Sequence, residues 1–473
     1  MTIRVLHYSD IENAYDDPER VGRLAGTIDA LRDGRTVVVG TGDNTAPGVL
    51  AMQTEGRQAL DFFRAVAPDF ETFGNHDFDF GTEPLREILR KSPQRWITAN
   101  LYPADADPGG SGENGTTPAE TDHRRFADAD PTAVVEVGDG DAERDSERVG
   151  FVGVTDPRTP DIAAGASELS ATDPVAAVRG ALGDLRERTD HVVVLAHLRA
   201  ETENAVARLD GVDAVLGGHV HSERRDRIDG TLVVRPGANG RVVWEVELGS
   251  GESDGATATR RAVADYPRDD RVADALRDRM DATGLTEVVC TVAEPIPRTR
   301  DRRLGGECRV ANLVTDAYRW ATGADVAYTQ SGGLRDGDPL AGDVTVADLV
   351  GVSPFGGELQ TAVVPGARLR ELVETVFTPD DERGRLWAGH FAGLEVVYDT
   401  AEAELREVRF DGKPVTPDED YSVATNAYVV EYGSEPIRPD DVVESFGVQY
   451  DAIVEYAREE GLDVRLDGRL TRV

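Results

Sequence analysis

The sequence predicts an α/β protein in two halves, and three observations carry that prediction. Short apolar runs of strand length alternate with helix-period segments through the first 250 residues, a pattern that argues for a sandwich containing parallel pairs. The stretch GESDGATATRRAVAD, 251–265, then reads as a linker, with a helix to about residue 285. A second block, 286–473, mixes helical and strand patterns of its own and shows no internal repeat of the first.

Ile3 to Tyr8 and Val37 to Gly40 read as buried strands. Between them RVGRLAGTIDALRDG places Val21, Leu24, Ala25, Ile28 and Leu31 at helical spacing, with Gly34 as its expected stop. FETFG, RVGFVGVTD, HVVVLAHL and DAVLGGHVH continue the strand series, and TLVVRPGANGRVVWEVEL reads as two strands around a glycine-rich turn. Residues 103–131 contain no Val, Leu, Ile or Met and read as a solvated surface insertion, because they offer too little apolar surface to offset their ordering entropy. PRDDRVADALRDRMDATG predicts a helix with Val272, Leu276 and Met280 on one stripe. In the second block, ANLVTDAYRWAT and VPGARLRELVETVF predict helices, and DVAYTQSG, LEVVYD and YSVATNAYVV predict strands.

Composition bounds the partners. The 473 residues carry 89 Asp and Glu against 51 Lys and Arg, a formal charge of -38, which repels nucleic-acid polymers and anionic membranes. Lysine occurs only at Lys91 and Lys413. An acid-rich, lysine-poor, aromatic-poor chain is similar to proteins of extreme halophiles, where molar salt shortens the Debye length to about 3 Å. Cys290 and Cys308 leave room for one bridge at most, and two free thiols are the expected state. No apolar run reaches the roughly 18 residues of a membrane span, and MTIRVLHYSD enters a strand pattern at once, so no signal peptide and a cytoplasmic location are expected.

Histidine is scarce, with eight in the chain, yet His76, His197, His219 and His221 follow predicted strands in company with Asp10, Glu12, Asp43 and Asn75. In an open α/β sheet, ligands collect outside the carboxyl ends of the strands. Five strands ending in Asp, Glu, Asn or His would therefore aim metal-ligating groups into one crevice. Taken singly, an Asp after a strand is an ordinary turn residue. Taken together, the five ends form a constellation.

D10-x-E12, GD43, GNH76-D, H197 and GH219-x-H221 resemble the signature of dinuclear metallophosphoesterases, in the branch of UDP-sugar hydrolases and 5′-nucleotidases. ANLVTDA, GADVAYTQSGGLR335, GDVTVADLVGVSPF355G and AGLEVVYD resemble that branch's C-terminal nucleotide-binding domain. The resemblance implies a four-layer α/β/β/α sandwich followed by an α/β nucleotidase domain. It implies two divalent metal ions, with Asp10, Glu12, Asp43 and His221 around one and Asp43, Asn75, His197 and His219 around the other. Mn is favoured among Mn, Zn, Fe, Co and Mg, because Glu12 stands where the family usually has His and a carboxylate prefers harder ions. His76, oriented by Asp79, is the implied catalytic pair, and Asp77 is assigned a structural role.

Arg335 and, at shifted spacing, Arg303 match substrate-contacting arginines. Asn312 fits either that motif or a helix start, and Phe355 and Tyr428 match two base-stacking aromatics. The loop that usually reads Gly-Gly-Asp-Gly is here Tyr432, Gly433, Ser434 and Glu435, which alters the expected base pocket. The implied activity is hydrolysis of a small phosphorylated metabolite, a nucleotide first, by attack of metal-held hydroxide in a cleft between the domains, gated by hinge motion near 255–285. A 2′,3′-cyclic-nucleotide phosphodiesterase, a nucleotide-sugar hydrolase and a metal-poor binding or scaffold protein are the alternatives.

Overall fold

A computed structural model describes residues 3–106, 124–138, 146–249, 255–380, 384–432 and 436–473. Most of the 103–131 insertion, the start of the predicted linker, and Gly433, Ser434 and Glu435 lie outside the described residues. The chain divides into two compact units, Met1–Thr283 and Gly284–Val473.

The strands of the first unit are, in chain order, β1 (Ile3–Tyr8), β2 (Thr36–Gly40), β3 (Phe70–Glu71), β4 (Arg95–Trp96), β5 (Leu101–Pro103), β6 (Thr132–Val137) and β7 (Glu147–Thr155). There follow β8 (Leu169–Ala171), β9 (His191–His197), β10 (Ala214–Gly217), β11 (Glu223–Ile228), β12 (Thr231–Pro236), β13 (Val242–Leu248) and β14 (Thr257–Ala262). They form two six-stranded sheets, β14-β13-β1-β2-β3-β4 and β11-β12-β10-β9-β7-β6, with β5 and β8 as a side ribbon. The centres of both sheets are parallel: β1 with β2, β2 with β3, β7 with β9, and β9 with β10.

Burial explains this arrangement. All seven residues of β9 are buried, as expected of a strand covered on both faces. Val193 and Leu195 meet Val5, Val37 and Val39 of the facing sheet. Val192, Val194 and Ala196 turn the other way, onto Val178, Leu182 and Leu185 of the helix Pro174–Arg188. On the other sheet's outer side lie the helices Pro18–Leu31 and Asp270–Ala282, which pack on one another. The first unit is thus the expected α/β/β/α sandwich.

Four expectations are corrected. The stretch 251–265 is not simply a linker: β14 pairs antiparallel with β13 and closes the first sheet, so the unit runs on to Thr283. Its helix, with Val272, Leu276 and Met280 buried, belongs to that unit's outer layer. The first helix ends at Leu31, not at Gly34, because Asp33 makes the turn by accepting from the Arg35 backbone N–H at 2.9 Å. The end of the insertion is not wholly solvated: Phe126 is fully buried, 5.4 Å from the ring of Phe73 and 5.3 Å from that of Phe78.

In the second unit the strands are β15 (Val288–Ile296), β16 (Val326–Gln330), β17 (Leu340–Thr345), β18 (Glu358–Pro365), β19 (Phe377–Asp380), β20 (Gly384–Trp387) and β21 (Gly389–Ala392). They continue with β22 (Leu394–Asp399), β23 (Glu404–Phe410), β24 (Lys413–Pro414), β25 (Asp420–Asn426), β26 (Val442–Val448) and β27 (Leu470–Arg472). A five-stranded sheet, β21-β16-β25-β18-β26, is covered by the helix Arg309–Thr322, and β24-β23-β22-β27 form a second sheet. The predicted strand YSVATNAYVV is only half a strand. Asn426 Oδ1 accepts from the Val429 N–H at 3.1 Å and starts the helix Ala427–Tyr432 in its place. No helix among the described residues is long and apolar enough to cross a membrane.

Candidate metal centre

The ligand-type residues of the first unit follow β1, β2 and β3 of one sheet, end β9, or follow β10 of the other. Asp10, Glu12, Asp43 and His219 all adopt left-handed backbone conformations, with φ of 50°, 48°, 54° and 69°. Such geometry costs on the order of 1–3 kcal/mol per non-glycine residue and clusters at functional sites. The turns that hold it are tight. A Cβ on Gly74 would stand 2.1 Å from Asp43 Oδ1, and one on Gly218 would stand 2.4 Å from Ser9 Oγ, so the GNH and GGH sequences need their glycines for close approach.

Two groups of ligand atoms emerge, each with all members within 4.8 Å of one another: Asp43, His197 and His219, and Asp10, Glu12 and His221. Glu12, Asp43 and His76 form a third group that overlaps both. His197 Nε2 lies 3.1 Å from Asp43 Oδ2, and His221 Nε2 lies 2.8 Å from Glu12 Oε1. His197 turns its other nitrogen, Nδ1, to the Thr41 carbonyl at 2.8 Å, which leaves Nε2 aimed into the site. Asp10 Oδ2, Glu12 Oε1, Asn75 Oδ1 and His197 Nε2 are buried and make no well-formed hydrogen bond. Buried polar atoms without partners are rare. Four of them converging from the ends of β1, β3 and β9, all oxygen or imidazole nitrogen, fit divalent cations.

Electrostatics agrees. Burial lifts the Asp10 carboxyl to about 7. Burial would also raise Asp43, but His197 and His76 outweigh it and hold Asp43 at about 2. His197 is buried too, yet the Asp43 charge lifts it to about 9. His219 falls to about 4 through burial and the neighbouring His197. These shifts express carboxylate charge that a cation would compensate.

His76 stands at the edge, with 37% of its side chain exposed. Its backbone N–H donates to Asp43 Oδ1 at 2.7 Å, and its Nδ1 meets Asp79 Oδ2 at 3.0 Å. Burial opposes its charge, but Asp43, Asp79 and Glu12 lift it to about 10. Asp77 accepts backbone N–H groups of Asp43, Asn44, Thr45 and Gly74 at 2.8–3.2 Å, which ties the second strand-end turn to the third.

Two supports are absent from the sequence reading. Glu71 Oε1 accepts from Asn44 Nδ2 at 2.8 Å and its Oε2 from the Tyr8 hydroxyl at 2.7 Å, and burial lifts this carboxyl to about 8. Arg235, paired with the fully buried Glu203 at 2.9 Å, donates to the carbonyls of Val220 and Ser222 on either side of His221. Each support joins residues far apart in sequence. Only the strand-end position of Glu71, in FETFG, could have flagged it.

In the second unit the predicted substrate residues separate. Arg335 places its guanidinium over the Phe355 ring, 4.7 Å from the centroid. Tyr428 is 60% exposed on the helix after β25. Arg303 is buried, donating to the Ser331 carbonyl at 2.5 Å and to Asp336. Asn312 is buried as well, its amide donating to Glu307 at 2.9 Å and to the Arg465 carbonyl at 2.8 Å, which favours the structural alternative.

The fold and ligand cluster are those of a metallophosphoesterase domain, and comparison with known proteins agrees. Residues 3–223 match the calcineurin-like phosphoesterase family, which implies divalent metal ions. Residues 287–437 match the 5′-nucleotidase C-terminal domain. It is 22% identical over 479 residues to the trifunctional nucleotide phosphoesterase of Bacillus subtilis, covering 90% of this chain and 32% of that one. It is 21% identical to an apyrase of Tabanus yao, covering 96% of this chain and 91% of the relative. The chain spans about a third of the length of the first curated relatives it matches. A 5′-nucleotidase precursor from Thermus thermophilus shares the fold, with TM-score 0.71 and 21% identity over 100% of this chain and 99% of that one.

Proposed function

We propose that the protein is a metal-dependent phosphoric ester hydrolase acting on nucleotides in the manner of a 5′-nucleotidase. The observation that carries this is the convergence of Asp10, Glu12, Asn75 and His197, whose buried ligand atoms meet no protein group outside the cluster. Asp10, Glu12, Asp43 and His221 would hold one divalent ion, and Asp43, Asn75, His197 and His219 the other. When bound, the ions would supply Lewis-acid chemistry, acidifying water and neutralising phosphate charge. Asp43 would be shared by the two ions, since its carboxylate stands with His197 and His219 in one ligand group and beside Glu12 in another. Asp79 holds the Nδ1 proton of His76, so Nε2 is left to stabilise the phosphoryl group or protonate the leaving oxygen. The carboxylate of Glu12 supports Mn as the preferred ion.

On the substrate side, Arg335 and Phe355 form one platform, and Tyr428 supports base stacking. Arg303 contributes through the Ser331 turn it holds. A panel of nucleoside monophosphates, diphosphates, 2′,3′-cyclic nucleotides and nucleotide sugars, run with Mn²⁺, Zn²⁺ and Mg²⁺, tests the reading. Absence of turnover on every member by the metal-loaded protein would sink it. The acid excess supports a cytoplasm at molar salt as the working compartment. Activity should then increase between about 0.1 M and 2 M KCl, and full activity in low salt would remove that part.

A further inference from the structure

Beside the metal centre, at the ends of β7 and β9, stands a charged cluster that the ligand set does not use. Thr155, the last residue of β7, is in register with His197 of β9. The next residue, Asp156, has a fully buried side chain. Its Oδ1 accepts from the Arg158 backbone N–H at 2.8 Å and lies 3.4 Å from Arg158 Nε, and its Oδ2 accepts from Arg199 Nε at 2.9 Å. One carboxylate therefore carries two guanidiniums, and the cluster holds one excess positive charge. The register of β7 with β9 places the cluster on the His197 side of the centre.

Both arginines touch Asp156 through Nε. Their terminal nitrogens have no partner among the described residues, while the side chains remain 46% and 40% exposed. A structural role would need one guanidinium to neutralise one buried carboxylate. The second, in a chain of net charge -38, is surplus to that need. Two planar donors oriented by a shared anchor match the several oxygens of a phosphoryl group.

We infer that Arg158 and Arg199, oriented by Asp156, form an anion subsite that binds a phosphoryl group of the substrate beside the metal centre. The inference rests on the phosphoester-hydrolase reading and names a part of its substrate site. The bound group is either the phosphoryl being transferred or its neighbour in a di- or triphosphate, and the test separates them.

The test uses the full metal-loaded chain and the variants Arg158→Gln, Arg199→Gln and Arg158→Lys. Each single variant leaves one guanidinium on Asp156, and melting temperature and metal content verify that the fold and the centre persist. Calorimetry with inorganic phosphate should show about tenfold weaker binding in each Gln variant, with partial recovery in Arg158→Lys. KM for AMP and ADP rising together assigns the subsite to the transferred phosphoryl group, and a rise for ADP alone assigns it to the neighbour. Phosphate affinity and both KM values within about twofold of the parent in folded, metal-replete Gln variants would overturn the inference. If the parent hydrolyses no phosphoester yet binds phosphate, and the Gln variants lose that binding, the subsite stands and the hydrolase reading falls.

Discussion

The strand-end cluster of the first unit and the substrate-type residues of the second differ in what satisfies their polar groups. Asp10 Oδ2 and Asn75 Oδ1 are buried with no hydrogen-bond partner, and Glu12 Oε1 and His197 Nε2 meet only other members of the cluster, His221 and Asp43. Arg303 and Asn312 are buried with carbonyl and carboxylate partners already in place, and Arg335 rests on the face of Phe355. A buried polar atom left unpaired costs about 1–3 kcal/mol. The first unit therefore keeps at its strand ends a cost that a cation would remove, whereas Arg303 and Asn312 are held by the protein's own groups, with only Arg303 Nε left unpaired.

The largest expected effect tests the first half of that contrast. His76→Ala should lower kcat by about 10²–10⁴-fold while leaving metal content unchanged, because the side chain acts on substrate rather than as an essential ligand. Asp43→Asn should instead lose metal, measured by elemental analysis after dialysis. Equal metal loss in both variants would erase the distinction between His76 and the ligands.

The next concerns the second unit's buried His390, whose Nε2 lies 3.0 Å from Ser331 Oγ and 2.9 Å from the Arg303 carbonyl. Burial lowers this imidazole to about 4 from an ordinary 6.5, so the folded state holds it neutral. The stability it provides is present above pH 6.5 and is lost as pH falls from 6.5 towards 4, on the order of 3 kcal/mol in all. His390→Gln should flatten that acid limb in chemical denaturation. A limb unchanged by the substitution would refute the assignment.

A smaller effect belongs to the pair Arg335 and Phe355. Phe355→Ala should raise KM for a nucleoside monophosphate by roughly 5- to 150-fold with kcat little changed, the worth of one stacked base. A variant whose KM equals the parent's would make Phe355 an ordinary platform for Arg335. Smallest is Glu12→His, which should shift competitive metal binding from Mn²⁺ towards Zn²⁺. Unchanged preference would separate Glu12 from metal selection.

Much of the first unit could be read from sequence because its strands are short, valine-rich and followed at once by their ligands. HVVVLAH carries both the strand and the residue it delivers. The reading failed where a local pattern was overruled by a distant partner. TATRRA looks like linker until it meets β13, Phe126 looks solvated until it meets Phe73 and Phe78, and Tyr428 looks like strand until Asn426 caps a helix. Glu71, Arg235 and Arg199 are hard to read from sequence for the same reason, since each acts on a residue brought close only by folding.

By itself, the sequence determined the two-part α/β class, the ligand types and their order along the chain. Those depend on periodicity and on which residue follows which strand. Only the tertiary structure decided which lone pairs stay unsatisfied, which arginines are already bound by the protein, and that Asp156 gathers two of them. Those outcomes depend on contacts between residues tens to hundreds of positions apart, and no local pattern encodes a distance.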